Sequence, residues 1–310
     1  MKIKNLVLSG GNFKGISYIG VFKAIEELNI SDNLVNILGV SSGALFGLPF
    51  MLGLNSSQIE HILTAVSLEQ LYNINIDSIL DINTNYGIDN GDKITNLLKI
   101  IIKKILDNEN ATFQDLKNFQ PNINFIVGAA NICTKKYEYF SYKTTPDMPL
   151  HIAVRISISI PIYFKSICYN NCYYMDGAFI NNYPIDYFAD DIDNTLGIIF
   201  KNTEKTNTIN NFGVYVYKVA TCVMSVMQNY LKEKYLNNTF ELIIDYDISE
   251  LKFDINTKKL LISIGYNEFI NKYKIKYGDT TTESIQNRES VDINDMIKSL
   301  KDEINSNDSS

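Results

Sequence analysis

The chain has 310 residues, enough for one large core or two small ones. Hydrophobic residues make up 45% and charged residues 20% of it, which fits a soluble globular protein. The net charge of −7 argues against nucleic-acid binding and against non-specific attraction to anionic membranes.

Cysteine usage and apolar runs narrow the class of protein further. Four cysteines are too few for a disulfide scaffold of this size, and no histidine completes a zinc set beside Cys168 and Cys172. We expect neither a metal nor a cofactor. The first apolar run, Leu6–Leu8, is too short for a secretory signal, and Ala44–Leu54 is too short to span a bilayer. These features predict an intracellular, soluble protein without a transmembrane segment, and peripheral contact with membranes stays open.

The first part of the chain alternates between strand and helix patterns. Four segments follow one another as buried strand, glycine-rich turn, amphipathic helix and second strand: Ile3–Leu8, Ser9–Lys14, Gly15–Leu28 and Asn36–Val40. A further helix follows the second strand. This order predicts a parallel pair of strands with a right-handed crossover.

Later segments add helices and strands to this beginning. Helices are predicted from a capping box at Ser57–Glu60, from Asp92, after a Thr112 cap, at Ile152–Ser159 and at Phe212–Leu236. Strands are predicted at Ile123–Ala130, Cys172–Met175 and Thr195–Phe200, with a hairpin arm at Lys135–Lys143. We expect one catalytic domain over residues 1–275, with its motifs between about 5 and 190. A polar C-terminal helix and a flexible tail are expected over residues 276–310.

The segment Gly39–Gly43 has the pattern G-x-S-x-G and lies where the second strand turns into a helix. Such a turn is a nucleophile elbow, in which Gly39 and Gly43 permit a tight bend that pushes the serine hydroxyl out of the sheet. The N-terminus of the following helix favours developing negative charge. The pattern therefore indicates Ser41 as a nucleophile, and a glycine- and serine-rich turn without chemistry is the alternative.

A serine nucleophile needs a base, and the chain has only two histidines, His61 and His151. In α/β-hydrolases several strands precede the serine and the histidine follows the acid late in the chain, an order that this sequence does not have. We therefore interpret both histidines as structural. Asp176 follows an apolar strand and opens an Asp-Gly-Ala turn, so its carboxylate is the candidate base. An ordinary Asp-Gly turn is the alternative.

The glycine-rich loop Gly10–Gly15 directly follows the first strand. Backbone N–H groups in such a loop converge on an anion, which is either a bound phosphate or the oxyanion of an acyl-transfer intermediate. Asn12 breaks the dinucleotide fingerprint, and Lys14 is followed by Gly15 where a P-loop requires Ser or Thr. An oxyanion hole explains the loop and the elbow together, because adjacent parallel strands place them side by side. Nucleotide binding is kept as an alternative.

Together these motifs resemble the patatin-like phospholipase family. The shared order is a glycine-rich loop with Lys-Gly, then G-x-S-x-G, then Asp-Gly-Ala, and Arg155–Pro161 is similar to the R-x-S-x-x-x-P segment of the family. The match runs from about Asn5 to Asp186 and more loosely to about Tyr273. The resemblance implies a three-layer α/β/α core with a mainly parallel central sheet.

The resemblance also implies a Ser-Asp dyad without histidine. It makes Ser41 the nucleophile, Asp176 the general base, and the backbone of Gly10, Gly11 and Asn12 the oxyanion hole. The implied activity is hydrolysis of acyl esters in a lipid or at a membrane surface, without a metal. The family usually has a third glycine where this chain has Asn12, but Asn tolerates positive φ well and keeps its N–H.

Several questions stay open at the level of sequence. Lys14, next to Gly15, either anchors the loop or attracts a lipid headgroup. Asn12 favours a catalytically inactive lipid-binding protein on the same scaffold as one rival, and an acyltransferase is another. Some relatives need a host activator protein, and no residue of this chain supports or excludes one.

Overall fold

The computed structural model describes residues 2–67, 69–71, 86–201, 209, 212–244, 254–278 and 293–306. The strands in these ranges are β1 (Asn5–Leu8), β2 (Asn36–Val40), β3 (Gly87–Asp89), β4 (Asn124–Asn131), β5 (Lys136–Phe140), β6 (Ile162–Phe164), β7 (Ile167–Tyr169), β8 (Cys172–Asp176), β9 (Thr195–Phe200) and β10 (Thr239–Leu242). The α-helices are α1 (Tyr18–Glu27), α2 (Ser42–Met51), α3 (Ser56–Ala65), α4 (Asp92–Leu106), α5 (Phe113–Phe119), α6 (Leu150–Ser157), α7 (Ala178–Asn181), α8 (Phe212–Lys234), α9 (Ile255–Tyr277) and α10 (Asn294–Ser306).

A mixed sheet forms the centre of the molecule. Its strands run in the order β10-β9-β1-β2-β4-β8-β7, and β5 pairs with β4 outside this path. The pairs from β10 to β4 are parallel, whereas β8 is antiparallel to both β4 and β7. The predicted parallel pairing of the first two strands is therefore confirmed.

Apolar side chains alternate between the two faces of the sheet and create two cores. On β1, Leu6 and Leu8 belong to a large cluster with residues of α1 to α6, α9 and α10. Val7 between them faces a smaller cluster on the other side, which includes Tyr183 and Leu231 of the segment after α7 and of α8. This alternation has the period of two that strands impose. The predicted three-layer α/β/α architecture with a mainly parallel sheet is confirmed.

Two helix starts differ from the sequence-based expectation. The segment Asn12–Ser17 forms a 3-10 helix, so α1 begins at Tyr18. The capping box predicted at Ser57–Glu60 is wrong, because Asn55 is the cap. Its side chain accepts a hydrogen bond from the amide of Gln58 at 2.9 Å, and the Gln58 side chain accepts one from the amide of Asn55 at 3.0 Å. Asn caps a helix as well as Ser does, so the box lies two residues earlier.

The C-terminal helix α10 is amphipathic. Its residues Met296 and Leu300 are buried in the larger cluster, beside α4. The domain boundary near residue 275 stays a prediction, and the segments 279–292 and 307–310, which include most of the expected tail, lie outside the described residues. No helix within the described ranges has the length and apolar character needed to cross a membrane.

Candidate active site

Ser41 lies at the turn between β2 and α2, with φ 52° and ψ −123°. L-residues rarely adopt this backbone conformation, and holding a residue there costs about 1–3 kcal/mol. The flanking glycines allow the turn by close approach. A Cβ at Gly39 would collide with the backbone of Ala44, and one at Gly43 would collide with the carbonyl of Leu8. The strand-to-helix elbow predicted from the sequence is therefore present.

The pairing of neighbouring strands brings the remaining motifs to the elbow. Leu8 of β1 lies opposite Gly39 of β2, so the glycine-rich loop and the elbow leave the sheet side by side. On the other side of β2, β4 carries β8 as its antiparallel neighbour, with Ala129 opposite Asp176. As a result, residues that are 135 positions apart in the chain meet: Ser41 Oγ donates a hydrogen bond to Asp176 Oδ2 at 2.6 Å.

The Asp176 carboxyl group is fully buried, with 0% of the residue exposed. Burial penalises the charged form and raises the pKa of Asp176 to about 7, although hydrogen bonds from Ser41 and from the Ala178 amide oppose this shift. The Ala178 amide donates to Oδ1 at 2.8 Å, so each carboxylate oxygen has a partner. A carboxyl group with this pKa can accept and return a proton near neutral pH.

Side chains occupy two of the three loop amides that were predicted to form an oxyanion hole. The amide of Gly10 donates to Asn182 Oδ1 at 2.9 Å, and the amide of Gly11 donates to Ser42 Oγ at 2.9 Å. Asn12 has φ 52°, the positive value that its position requires and that Asn tolerates. The loop thus lies beside the nucleophile, with the amides of Gly10 and Gly11 already hydrogen-bonded.

Lys14 and Gly15 fix the far side of the same loop. Lys14 Nζ donates to the carbonyl of Lys201, just beyond β9, at 3.2 Å. A Cβ at Gly15 would collide with the side chain of Ser42, so this glycine lets the loop pack closely on the start of α2. These contacts agree with an anchoring role for Lys14, and a headgroup role stays a proposal.

Ser157, at the end of α6, supports the elbow from below. Its hydroxyl accepts a hydrogen bond from the amide of Ser41 at 2.9 Å and donates one to the carbonyl of Gly128 at 2.7 Å. The sequence alone indicates no role for this serine, although it is the serine of the R-x-S-x-x-x-P segment. The signal that could have identified Ser157 is the R-x-S-x-x-x-P pattern itself, because it contains a serine that has no evident catalytic role.

The arginine of that segment, Arg155, is buried and supports the backbone of Asp176. Arg155 donates from Nη1 to Ser159 Oγ at 2.7 Å and from Nη2 to the carbonyl of Asn90 at 2.8 Å. The carbonyl of Ser159 in turn accepts the amide of Asp176 at 2.9 Å. The segment therefore holds the backbone of both Ser41 and Asp176, and Arg155 acts as a structural brace.

We expect Ser157→Ala to lower the free energy of unfolding by about 1–3 kcal/mol, because it leaves a buried amide and a buried carbonyl without their partner. Urea unfolding measures this change. Ser225→Ala is the matched control, since within the described part of the chain the Ser225 hydroxyl bonds only the carbonyl of Thr221, in its own helix. The control should shift stability by less than about 0.5 kcal/mol. Equal effects of the two substitutions would contradict the supporting role of Ser157.

Neither histidine is the hydrogen-bond partner of the Ser41 hydroxyl. His61 is exposed on α3. His151 is buried on α6, and burial together with Lys99 lowers its pKa to about 4. Both positions agree with the structural interpretation. Among the residues that the structure describes, no group of three or more His, Cys, Asp or Glu side chains is arranged to hold a metal ion.

Comparison with known proteins places this site in a family context. A family model described as patatin-like phospholipase matches residues 6–189. An uncharacterized protein of Acanthamoeba polyphaga mimivirus is 31% identical over 268 residues, which cover 83% of this chain and 89% of that protein. A protein of Invertebrate iridescent virus 6, named a probable lipid hydrolase, is 33% identical over 186 residues, or 59% of this chain and 62% of its own.

A solved structure supports the same fold. The crystal structure of VipD from Legionella pneumophila matches with a TM-score of 0.63 and 15% identity, over 99% of this chain and 75% of VipD. At this identity the likeness shows the three-layer architecture, and the chemistry has to be argued from the site itself.

Proposed function

Because this chain belongs to the patatin-like phospholipase family, we propose that it is a lipid acyl hydrolase in which Ser41 is the nucleophile and Asp176 the general base. The observation that carries the proposal is the buried hydrogen bond of 2.6 Å between Ser41 Oγ and Asp176 Oδ2. The substrate class is an acyl ester presented in a lipid or at a membrane surface.

In the acylation step, Ser41 Oγ attacks the ester carbonyl while its proton passes to Asp176. The carbonyl π bond opens, and its electrons become the oxyanion of a tetrahedral intermediate. When the intermediate collapses, the bond to the alcohol breaks and the alcohol takes the proton from Asp176. The acyl group is then bound to Ser41 as an ester.

In the deacylation step, a water molecule takes the place of the leaving alcohol. The oxygen of this water attacks the acyl-enzyme while Asp176 accepts a proton from the water. Asp176 returns the proton to Ser41 Oγ when the fatty acid leaves. An ordinary aspartate is a weak base for a hydroxyl group. The pKa of about 7 makes Asp176 a better one, and it still leaves a large share of the carboxyl ionised at neutral pH.

The oxyanion requires donors that face the attacked carbonyl. The amide of Gly11 now donates to Ser42 Oγ, next to the nucleophile, and we propose that the substrate oxygen replaces this hydroxyl as its acceptor. The amide of Asn12 is the proposed second donor. One such donor is typically worth about 10²–10³ in rate.

A panel of phospholipids and acylglycerols in mixed micelles tests the proposal directly. We expect release of fatty acid from at least one lipid class and covalent labelling of Ser41 by a fluorophosphonate probe. Absence of both with folded protein would exclude a hydrolase. Addition of an acceptor alcohol to the same assay distinguishes the acyltransferase alternative, because acyl transfer would yield a new ester in place of free acid.

The dyad predicts that histidine is dispensable for the reaction. The double variant His61→Gln, His151→Gln should keep kcat for a p-nitrophenyl ester within about threefold of the wild type, because neither imidazole contacts the Ser41 hydroxyl. His151 is buried, so the free energy of unfolding is measured in parallel to identify any loss of folded protein. A fall in kcat of about 10³-fold in fully folded protein would assign the base to a histidine and refute the dyad.

A second candidate function is lipid binding without turnover on the same scaffold. The observation that favours it is the occupation of the Gly10 and Gly11 amides by the side chains of Asn182 and Ser42. Fluorophosphonate labelling separates the two, since the probe reacts only with a serine that can act as a nucleophile. Labelling of Ser41 excludes the inactive protein.

A further inference from the structure

We infer that Gln228 of α8 is a positioning residue for the glycine-rich loop Gly10–Gly15, called the oxyanion loop from here on. Gln228 acts on this loop through the side chain of Asn182. This inference rests on the proposed function, because it assigns to Gln228 an effect on the rate of the Ser41 reaction. Its physical basis is a chain of three hydrogen-bonded groups that connects α8 to the backbone of Gly10.

The first link joins Asn182 to both sides of one loop residue. Asn182 Oδ1 accepts the amide of Gly10 at 2.9 Å, and Asn182 Nδ2 donates to the carbonyl of Gly10 at 3.2 Å. One side-chain amide therefore holds the N–H and the C=O of Gly10. Because a peptide group is planar, the direction of the Gly10 carbonyl also sets the direction of the following N–H, that of Gly11.

Gly10 has too little space around it for the loop to adopt a different position. A Cβ at this position would approach Asn182 Oδ1 to 2.5 Å and the Cβ of Ser41 to 2.9 Å. Gly10 is therefore pressed between the side chain that orients it and the nucleophile. A rotation of the Asn182 amide would move the loop relative to the Ser41 hydroxyl.

The second link fixes the rotation of Asn182. Its Nδ2 also donates to Gln228 Oε1 at 2.6 Å. Because Nδ2 has two hydrogens, Gln228 and the Gly10 carbonyl together use both of them, and Oδ1 is left to accept the Gly10 amide. Without Gln228, one of the interactions that prevent the Asn182 amide from turning is lost.

Gln228 lies on the inner side of a helix whose outer side is exposed. Leu231, three positions later, is 2% exposed in the smaller core cluster, and Met224, four positions earlier, packs against the same cluster. On the other side, Val226 is 68% and Tyr230 is 59% exposed. A polar residue in the middle of the apolar inner stripe costs stability unless it is paired, and the partner here is Asn182.

It follows that α8 and the oxyanion loop are mechanically coupled. The apolar contacts of α8 hold the helix against the sheet, and Gln228 sets its register relative to Asn182. Asn182 then sets the orientation of the Gly10 and Gly11 peptides. The expected consequence of weakening this chain is a lower rate of the chemical step with little change in substrate affinity.

Gln228→Leu tests the inference, because leucine keeps most of the volume and removes the acceptor. We expect kcat for p-nitrophenyl butyrate to fall about tenfold with KM within about twofold, since the donors remain but are less well oriented. Gln228→Glu keeps an acceptor for Asn182 Nδ2 and should recover most of kcat. Asn229→Leu, which also replaces a side-chain amide by leucine but at the exposed neighbouring position, is the matched control and should match the wild type.

Hydrogen exchange provides a readout that does not depend on activity. The Gly10 amide is bonded to Asn182, and we expect it to exchange about tenfold faster in Gln228→Leu than in the wild type or in Asn229→Leu. If the wild type hydrolyses no ester and is not labelled by fluorophosphonate, the proposed function fails while this measurement still tests the coupling.

Two results would overturn the inference. One is an unchanged kcat and an unchanged Gly10 exchange rate in folded Gln228→Leu. The other is a loss of kcat in Gln228→Glu as large as in Gln228→Leu, which would show that the acceptor on Gln228 is not what matters. A fall in kcat and faster exchange in Gln228→Leu, with recovery in Gln228→Glu, would support the inference.

Discussion

Ser41→Ala is expected to lower kcat for ester and lipid hydrolysis by at least about 10³-fold, with no change in secondary structure. Removal of the hydroxyl leaves no atom at the elbow that can form the acyl-enzyme, whereas the loop and the helix N-terminus remain. The measurement is fatty-acid release from the lipid that the wild type prefers, with circular dichroism as the test of folding. Retention of more than about a tenth of the wild-type kcat would refute Ser41 as the nucleophile.

Ser41→Gly separates the chemical role of this residue from its backbone strain. Both variants lose the hydroxyl and its bond to Asp176, but only Ala keeps a Cβ in the conformation with φ 52° and ψ −123°. Glycine relieves this strain, and its greater freedom in the unfolded chain offsets part of the gain. We expect Ser41→Gly to be about 1 kcal/mol more stable than Ser41→Ala and equally inactive. A Ser41→Gly variant that is less stable than Ser41→Ala by about 0.5–1 kcal/mol, the entropic cost of glycine alone, would show that the elbow is unstrained.

The sequence predicted those strands, turns and pairings that depend on local residue patterns and on the order of strands and helices along the chain. The strands Asn36–Val40 and Thr195–Phe200 have the predicted bounds, and the parallel pairing of the first two strands follows from their helical connection. The elbow and the glycine-rich loop could be located because their glycines are close together in the sequence. Backbone geometry of this kind depends on a few neighbouring residues and is therefore visible locally.

The contacts that complete the site could not be predicted in this way. Ser157 bonds the elbow, Asn182 bonds the loop and Gln228 bonds Asn182. These three side chains come from distant parts of the chain, and no spacing in the sequence shows which polar side chains will meet. The same holds for the occupation of the Gly11 amide by Ser42. Each of these partners exists because a buried donor or acceptor must be satisfied, and this requirement is set by tertiary packing.

The short strands show a related limit of prediction from the sequence. The strands β3 and β6 have three residues each and pair with each other outside the main sheet. These strands cannot be located from the sequence, because three residues are too few to establish an alternation of apolar and polar positions. Arg155 holds this region by donating to the carbonyl of Asn90, which directly follows β3. A long-range hydrogen bond thus connects the end of β3 to α6.

Asp176→Asn is expected to abolish hydrolysis and to change the pH dependence of stability in a defined direction. Asparagine keeps the shape of the side chain but cannot accept the Ser41 proton, so kcat should fall by at least about 10³-fold. In the wild type, kcat/KM should rise with pH around 7, the pKa of Asp176, because only the ionised carboxylate acts as a base. Activity that persists in Asp176→Asn with the same pH dependence would assign the base elsewhere.

The stability of the same pair of proteins tests the pKa independently of activity. The folded protein holds the Asp176 proton up to a pH of about 7, whereas the unfolded chain releases it near the ordinary value of 3.8. Between these values the folded state holds the Asp176 proton and the unfolded chain does not, so the contribution of Asp176 to wild-type stability falls as pH rises, by about 4 kcal/mol in total. The amide introduced by Asp176→Asn does not titrate. Between pH 3.8 and about 7, the free energy of unfolding of the variant should therefore rise relative to that of the wild type. At higher pH the two curves should be parallel. Parallel curves across the whole range would mean that the buried carboxyl group keeps its ordinary pKa, and Asp176 would then be no stronger a base than an exposed aspartate.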